Sequence, residues 1–331
     1  MKKNLLLAAA LLGLAASAAQ AQTRVTLYGL MDMSVGAAKL PGGKSIKGAD
    51  SGKMSTSYLG FSGTEDLGGG LSAFFTLDSF LRADVGQNGR FNGDNFWARN
   101  AFVGLSHKDF GLLRMGRNTT PLFVASLSFN AFGDSFGYSP SIRHYFSAGS
   151  TVSGGTATGD SGWSDSVQYF SPRFGGFSFG LITAAGEGAG GRNVGANAGY
   201  SAGAFAASLV YQKVEKDGAT ALADTKTWQA GASYDFGLVK LFGQYGKIDN
   251  ETLGRDYKIS GLGASLPIGE GKLIAQYGRV SASVGADRKT FSFGYDHFVS
   301  KRTDLYAVAM SDKLDGLSGG SSYSVGVRHR F

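Results

Sequence analysis

Tyr323-Ser324-Val325-Gly326-Val327-Arg328-His329-Arg330-Phe331 is the stretch on which the architecture turns. Side chains on a strand point to opposite faces with a period of two. Tyr323, Val325, Val327, His329 and Phe331 therefore share one mainly apolar face, and Ser324, Gly326, Arg328 and Arg330 share a polar, basic one. A strand of a soluble parallel sheet would be apolar on both faces. A strand of a soluble sandwich would usually run on into a polar tail. Lipid on one side of the wall and water on the other accounts for both faces.

The opposite end of the chain points to export. Lys2, Lys3 and Asn4 precede an apolar run from Leu5 to Leu14, followed by small residues ending Ala19-Gln20-Ala21. This is a charged n-region, an h-region too short to cross a bilayer, and an A-x-A cleavage site. Cleavage after Ala21 is expected, with residues 1–21 as signal peptide and 22–331 as the exported domain. An uncleaved anchor is the weaker alternative, because no stop-transfer pattern follows. Losing Lys2 and Lys3 takes the net charge from +7 to +5.

A basic chain invites comparison with nucleic-acid binders, but the lysines and arginines are dispersed singly, with no run that would track phosphates. Nucleic acid is not an expected partner. The absence of cysteine excludes disulfide frameworks, thiol chemistry and Cys-ligated zinc. Glycine is abundant (52 residues), proline scarce (5), and 24 Phe and 14 Tyr are present. No apolar stretch beyond residue 21 approaches the roughly 20 residues of a membrane helix. Disorder would call for few aromatics. Glycine and aromatics in alternating segments suit a membrane β-barrel, which buries its apolar surface in lipid rather than in a core.

Turn signals divide the chain into spans, and short and long connections alternate. Tight turns are expected at 66–70, 108–111, 172–176, 202–203, 235–237, 267–271 and 299–302, where Gly supplies the positive φ that such turns need. Longer polar connections are expected around 40–52, 82–95, 118–162, 187–193, 215–226, 248–255, 281–287 and 313–320. Seven short and eight long connections join sixteen strands, closed because lipid does not tolerate an unpaired sheet edge. The fold class is thus all-β, a transmembrane antiparallel barrel. Alternation is clean in several spans: Val25, Leu27, Met31 and Met33 oppose Arg24, Thr26, Tyr28 and Asp32, and Phe291, Phe293 and Tyr295 oppose Thr290, Ser292 and Asp296. Arg279 breaks the pattern by sharing the parity of Leu273 and Tyr277, which leaves a membrane rim or a bulge as explanations.

Val25-Thr26-Leu27-Tyr28-Gly29, Ser62-Gly63-Thr64-Glu65-Asp66-Leu67-Gly68-Gly69-Gly70-Leu71, Arg99-Asn100-Ala101-Phe102-Val103-Gly104-Leu105, Ser166-Val167-Gln168-Tyr169-Phe170-Ser171-Pro172 and the closing Phe331 resemble the general porins of β-proteobacteria. That group holds the neisserial porins and the anion-selective porins of Comamonas, Bordetella and Burkholderia relatives. The resemblance runs the length of the exported chain. It implies a 16-stranded homotrimer in the outer membrane, in contact with the lipid bilayer and lipopolysaccharide. It also implies that the assembly machinery reads Phe331, and that loop 82–95 reaches a neighbouring protomer. The third long loop, here 118–162, would fold into the lumen, and a loop of that length is uncommon unless functional.

The family faces a row of arginines toward that loop. Arg99 matches one of them, whereas Tyr58 and Gln168 stand where many relatives carry arginine, so the cationic ladder is thinned. Arg114 and Arg117 precede the long loop, Arg143 lies within it, and Asp134 is its one acid between Asn118 and Gly159. These residues, with inward-facing Asp32, are the expected lining of the constriction, where rings of charge select ions. The loop aromatics Phe123, Phe129, Phe132, Phe136, Tyr138, Tyr145 and Phe146 either pin the loop to the wall or line a path for hydrophobic solutes.

Catalysis is poorly supported. The four histidines, His107, His144, His297 and His329, form no H-E-x-x-H, and no serine sits in a G-x-S-x-G elbow. The Gly186–Gly191 cluster does not lead from a strand into a helix, as a dinucleotide site would. No cofactor and no enzyme activity are expected. The leading expectation is a water-filled channel for small hydrophilic solutes and ions, weakly anion-selective. The alternatives are a solute-specific channel with a saturable site, or a barrel enzyme or adhesin.

Overall fold

A computed structural model describes residues 24–146, 158–188, 190–216 and 223–331. The expected signal peptide lies outside the described residues, as do parts of the connections expected at 118–162, 187–193 and 215–226. The wall has sixteen strands. They are β1 (Arg24–Lys39), β2 (Ile46–Ser51 and Tyr58–Gly68), β3 (Leu71–Arg82), β4 (Asn100–His107), β5 (Gly111–Thr119), β6 (Gly162–Phe170), β7 (Phe177–Ala184) and β8 (Asn193–Ala202). They continue as β9 (Phe205–Val214), β10 (Thr225–Asp235), β11 (Lys240–Asn250), β12 (Arg255–Ile268), β13 (Gly271–Ala282), β14 (Arg288–Phe298), β15 (Thr303–Leu314) and β16 (Gly320–Arg330).

Every neighbouring pair is antiparallel, and β16 returns to β1 in register from Leu30 opposite Arg330 to Lys39 opposite Ser321. The ladder closes on the last residue, where Gly29 and Phe331 exchange both backbone hydrogen bonds at 3.1 and 3.2 Å. Closure leaves no sheet edge to be satisfied by water, which a lipid-embedded wall requires.

The burial pattern is inside-out. Leu27, Val35, Leu181, Leu209, Leu262, Phe291, Phe293, Leu305 and Val325 lie exposed on the outer face, while Ser166, Gln212, Gln229, Thr290, Ser292, Asp304 and Asp312 are buried on the inner one. A soluble protein does the reverse. At the short-turn rim Phe110, Phe174, Phe177, Phe205, Phe236 and Phe298 stand outward, as in the aromatic girdle that flanks the apolar band of a membrane barrel. Arg279 is a rim residue: β13 and β14 pair without a register shift, and its guanidinium meets Asp287 at 2.8 Å on the outer face.

Two irregularities shape the interior. β2 pairs with β1 in two segments, Ile46–Ser51 along Met33–Ala38 and Tyr58–Gly68 along Arg24–Leu30. Residues 52–57 leave the ladder between them and bow into the lumen. In β5 a bulge between Gly116 and Asn118, with Gly116 at φ +131°, shifts the register against β6. Beyond it the chain enters the lumen through α1 (Pro121–Ser128). Thr120 caps this helix by accepting from the Phe123 amide at 3.2 Å, and Pro121 occupies the first turn. A second helix, α2 (Pro140–Phe146), is buried along its whole length. The core is this inserted segment against the wall: Leu122, Ala125, Tyr145 and Phe146 pack on Val210, Ile248, Tyr257, Ile259 and Val280. The loop aromatics thus pin the segment in place.

Candidate functional site: the lumen and its constriction

The inserted segment seals one half of the inner wall. A glutamine ladder on β9, β10, β11 and β13 receives it. Gln212 donates to the Thr158 carbonyl at 3.3 Å, Gln244 donates to the Phe129 carbonyl at 3.3 Å, and Gln276 accepts from the Ala131 amide at 2.7 Å. The Ser126 hydroxyl meets Gln229 at 3.4 Å. Further on, Tyr138 donates to Ser324 at 2.7 Å and accepts from Ser292 through its carbonyl at 2.6 Å. Buried amides and hydroxyls left unpaired would each cost about 1–3 kcal/mol, so this ladder decides where the segment lies.

Charges on the same half are buried and cancelled. Arg143 of α2 contacts Asp312 at 3.3 Å, Arg288 donates to the same carboxylate through Nε at 2.8 Å, and Thr290 adds a hydroxyl at 3.0 Å. His144 shares Thr290 at 2.9 Å. Burial, reinforced by the Arg288 charge, holds that imidazole down at about 3, so it is neutral at physiological pH. Toward the closing strand Arg328 bridges Asp304 at 2.6 Å and Asp296 at 2.7 Å, and reaches Ser55 at 3.1 Å. Asp32 is fully buried and accepts from the amides of Met54 and Ser55 and from the Tyr306 hydroxyl, all at 2.7 Å. It holds the 52–57 excursion, which in turn holds the tip of the inserted segment through Ser135 to the Lys53 carbonyl at 2.7 Å and Ser55 to Asp134 at 2.8 Å.

The opposite half, β2 to β6, is different. Arg99, just ahead of β4, donates to Asp78 at 2.7 Å and stacks over the Tyr58 ring at 4.0 Å, with a third of its side chain exposed. Arg114 faces inward, since Leu113 and Met115 are exposed on the lipid side. It donates to the Gln168 side-chain oxygen at 3.1 and 2.7 Å and lies between the rings of Phe102 and Phe170 at 4.6 and 5.0 Å. Among the described residues, no carboxylate forms an ion pair with Arg114. A cavity of about 430 Å³ adjoins this region, lined by Val124 of α1 and Phe129 just after it, by Phe170, and by Arg173 and Lys240 toward the short turns.

The expected lining residues therefore separate into two sets. Tyr58, Arg99 and Arg114 stand together on the open half. Gln168 lies beneath Arg114 and is buried. Arg143 and Asp32 are turned into the sealed wall, because each is the partner of buried groups there. Arg117 shares the strand parity of Leu113 and Met115, and its guanidinium is consumed by the Ala98 carbonyl, Ser164 and Asp160. Asp134 meets Ser55 rather than Arg99 or Arg114. These four side chains act as anchors in the structure: Asp32 and Arg143 are buried against their partners, and Arg117 and Asp134 are engaged by Asp160 and Ser55.

Sequence reasoning missed Asp78 and Asp160. Asp78 is buried and gathers Arg99, Asn100 at 2.9 Å and the Tyr28 hydroxyl. Asp160, at the end of the inserted loop, meets Arg90 at 2.6 Å and Arg117 at 2.5 Å. Burial pushes its carboxyl upward, but the two guanidiniums outweigh this and hold it at about 2. Arg90 also clamps Asp94 at 2.8 Å, so loop 83–99 is latched to the inserted loop of the same chain. An inward acid among apolar alternation marks Asp78 in the sequence, whereas nothing there pairs Arg90 with a residue seventy positions away.

The sequence is similar to known proteins along the whole chain, and the fold over most of it. The profile described as Gram-negative porin matches residues 8–317. The chain is 34% identical over 367 residues to outer membrane porin protein 32 of Delftia acidovorans, and 30% identical over 403 residues to an outer membrane porin protein of Bordetella pertussis, with all of each chain covered. The solved anion-selective porin from Comamonas acidovorans superposes with a TM-score of 0.78 at 29% identity, over 94% of this chain and 100% of that one. OmpT of Vibrio cholerae, at 14% identity, shares the fold alone, with a TM-score of 0.68 over 93% of this chain and 97% of that one. With a closed sixteen-stranded wall, a lipid-facing apolar belt and a loop seated in the lumen, the chain belongs to the Gram-negative porin family and resides in the outer membrane.

Proposed function

We propose that this porin is a passive, water-filled channel for ions and small hydrophilic solutes, non-enzymatic and weakly anion-selective, with Arg99 and Arg114 as the cations of its constriction. The observation that carries this reading is Arg114, an inward guanidinium whose partners are a neutral amide and two aromatic rings. A unit charge about 4 Å from a passing ion is worth about 1 kcal/mol in water and about 4 at an effective dielectric near 20. Tenfold preference needs only about 1.4 kcal/mol. Arg99, half neutralised by Asp78, contributes less. Single-channel conductance in planar bilayers tests the reading: current linear in salt supports a general pore. The cavity beside α1, which sets apolar Val124 and Phe129 against polar Asn197, Ser208, Arg173 and Lys240, favours a second reading, a saturable solute site, which conductance levelling off with concentration would support.

The assembled unit in this proposal is a homotrimer, produced after removal of residues 1–21. Native mass measurement in mild detergent should give three chains, each beginning at Gln22, and a monodisperse monomer would reject the trimer. Phe331 serves as the assembly signal in the same proposal. Its deletion should abolish heat-modifiable trimer, and normal trimer levels in that variant would reject the role.

A further inference from the structure

The lipid-facing side of β13 to β15 stacks cation on cation. Arg279 stands directly opposite Lys289, and Lys289 directly opposite Lys313. All three are exposed on the outer face. Like charges directly opposite on a sheet face repel and destabilise it. The inner face of β14 and β15 avoids this by setting Arg288 against Asp312. On the outer face only Arg279 is relieved, by Asp287 at 2.8 Å. Among the described residues, no ion pair reaches Lys289 or Lys313.

The row lies at the long-loop rim, next to connections 283–287 and 315–319, which lead away from the short turns. One step below it on the same face, Tyr277 opposes Phe291, and below that Ala275, Phe293 and Ala309 lie side by side. The surface is thus a cationic band directly above an apolar one. Lysine is a point-charge phosphate binder with a long apolar stem, and a free anion would find no use for the aromatics beneath. We propose that Lys289 and Lys313, with Arg279, hold the phosphate of an anionic lipid headgroup whose acyl chains lie over Phe291 and Phe293. The bound phosphate offsets the repulsion that the register imposes. This rests on the membrane barrel and not on the channel reading, so failure of one leaves the other standing.

The test uses the full exported chain in neutral detergent, comparing thermal unfolding of the parent protein and Lys289→Gln/Lys313→Gln. Without lipid, the variant should unfold at the same or a higher temperature, because repulsion is relieved. Added phosphatidylglycerol should raise the parent's midpoint by several degrees and the variant's by less than half as much. Phosphatidylcholine should raise neither. Equal stabilisation of both proteins by phosphatidylglycerol would overturn the proposal and leave the lysines merely reaching into water. Inorganic phosphate reproducing the shift at the same concentration would also overturn it, in favour of a soluble anion. If the double variant does not fold, Lys313→Gln alone must lose part of the shift, and an undiminished shift would count against the site.

Discussion

The two halves of the inner wall use the same residue type to opposite ends. From β9 to β16 the wall arginines Arg288 and Arg328, and Arg143 of the inserted loop that lies over this wall, are buried against aspartates. From β2 to β6, Arg99 keeps a third of its side chain exposed and Arg114 has only a neutral amide and rings for company. A buried ion pair gains little net stability, because desolvation consumes most of the Coulomb attraction. It does fix geometry, since breaking it is expensive. The sealed half therefore positions the loop, and in the proposed reading the half it leaves uncovered presents Arg99 and Arg114 to a passing ion.

The largest effect should come from breaking the sealed half. Arg328→Ala strands Asp296 and Asp304, both buried, with only Lys272 at 3.9 Å and Arg330 at 3.1 Å remaining. Removing one partner of a buried pair costs about 3–5 kcal/mol, so the denaturation midpoint of the variant in detergent should fall accordingly. Arg114→Gln should leave that midpoint nearly unchanged. Equal losses would erase the distinction between the halves.

A second break is steric. A Cβ added at Gly278 would lie 2.7 Å from Pro140 Cβ and 2.9 Å from the His144 ring. Gly278→Val should destabilise by about 1–3 kcal/mol through overpacking and lift α2 from the wall, which single-channel records would show as fluctuating conductance. Steady conductance would mean that α2 does not fix the pore's width.

The barrel was legible in the sequence because its determinants are local: parity tells which face of a strand meets lipid, and glycine-rich turns mark its ends. The sixteen strands and the short and long connections follow from that, whereas the inward fold of the long loop was implied by the porin resemblance and the loop's length. Of the expected lining residues, Arg99 was singled out by the family pattern and Arg114 by its place just before the long loop, and both lie on the open half of the wall. What decided the rest was pairing between residues far apart in the chain. Arg143 and Asp134 sit in the inserted loop, yet their positions depend on Asp312 and Ser55. The neutral glutamines that receive the loop carry no signal of their own.

A smaller effect sharpens the comparison at the long-loop rim, where Arg90 and Arg117 clamp Asp160. Because the folded carboxyl titrates at about 2, below its usual value near 4, the clamp is fully present above pH 4. It is lost as the pH falls through about 2. The protection of amides in loop 83–99, taken relative to their intrinsic exchange rate at each pH, should therefore fall between about pH 4 and 2, and Arg90→Ala should show that lower protection already at neutral pH. A loop indifferent to both changes would not be latched by this cluster.

The most direct test of the two-halves account is the reversal potential across a tenfold salt gradient. Arg99→Ala and Arg114→Gln should each shift it toward cations, with Arg114→Gln the larger because that charge has no carboxylate partner, and Asp134→Asn should shift it only slightly toward anions. Arg143→Lys, which preserves the charge paired with Asp312, should leave it where it was. If Arg99→Ala and Arg114→Gln leave the reversal potential unmoved, or if Arg143→Lys moves it as far as they do, the open wall does not set the selectivity and the account is wrong.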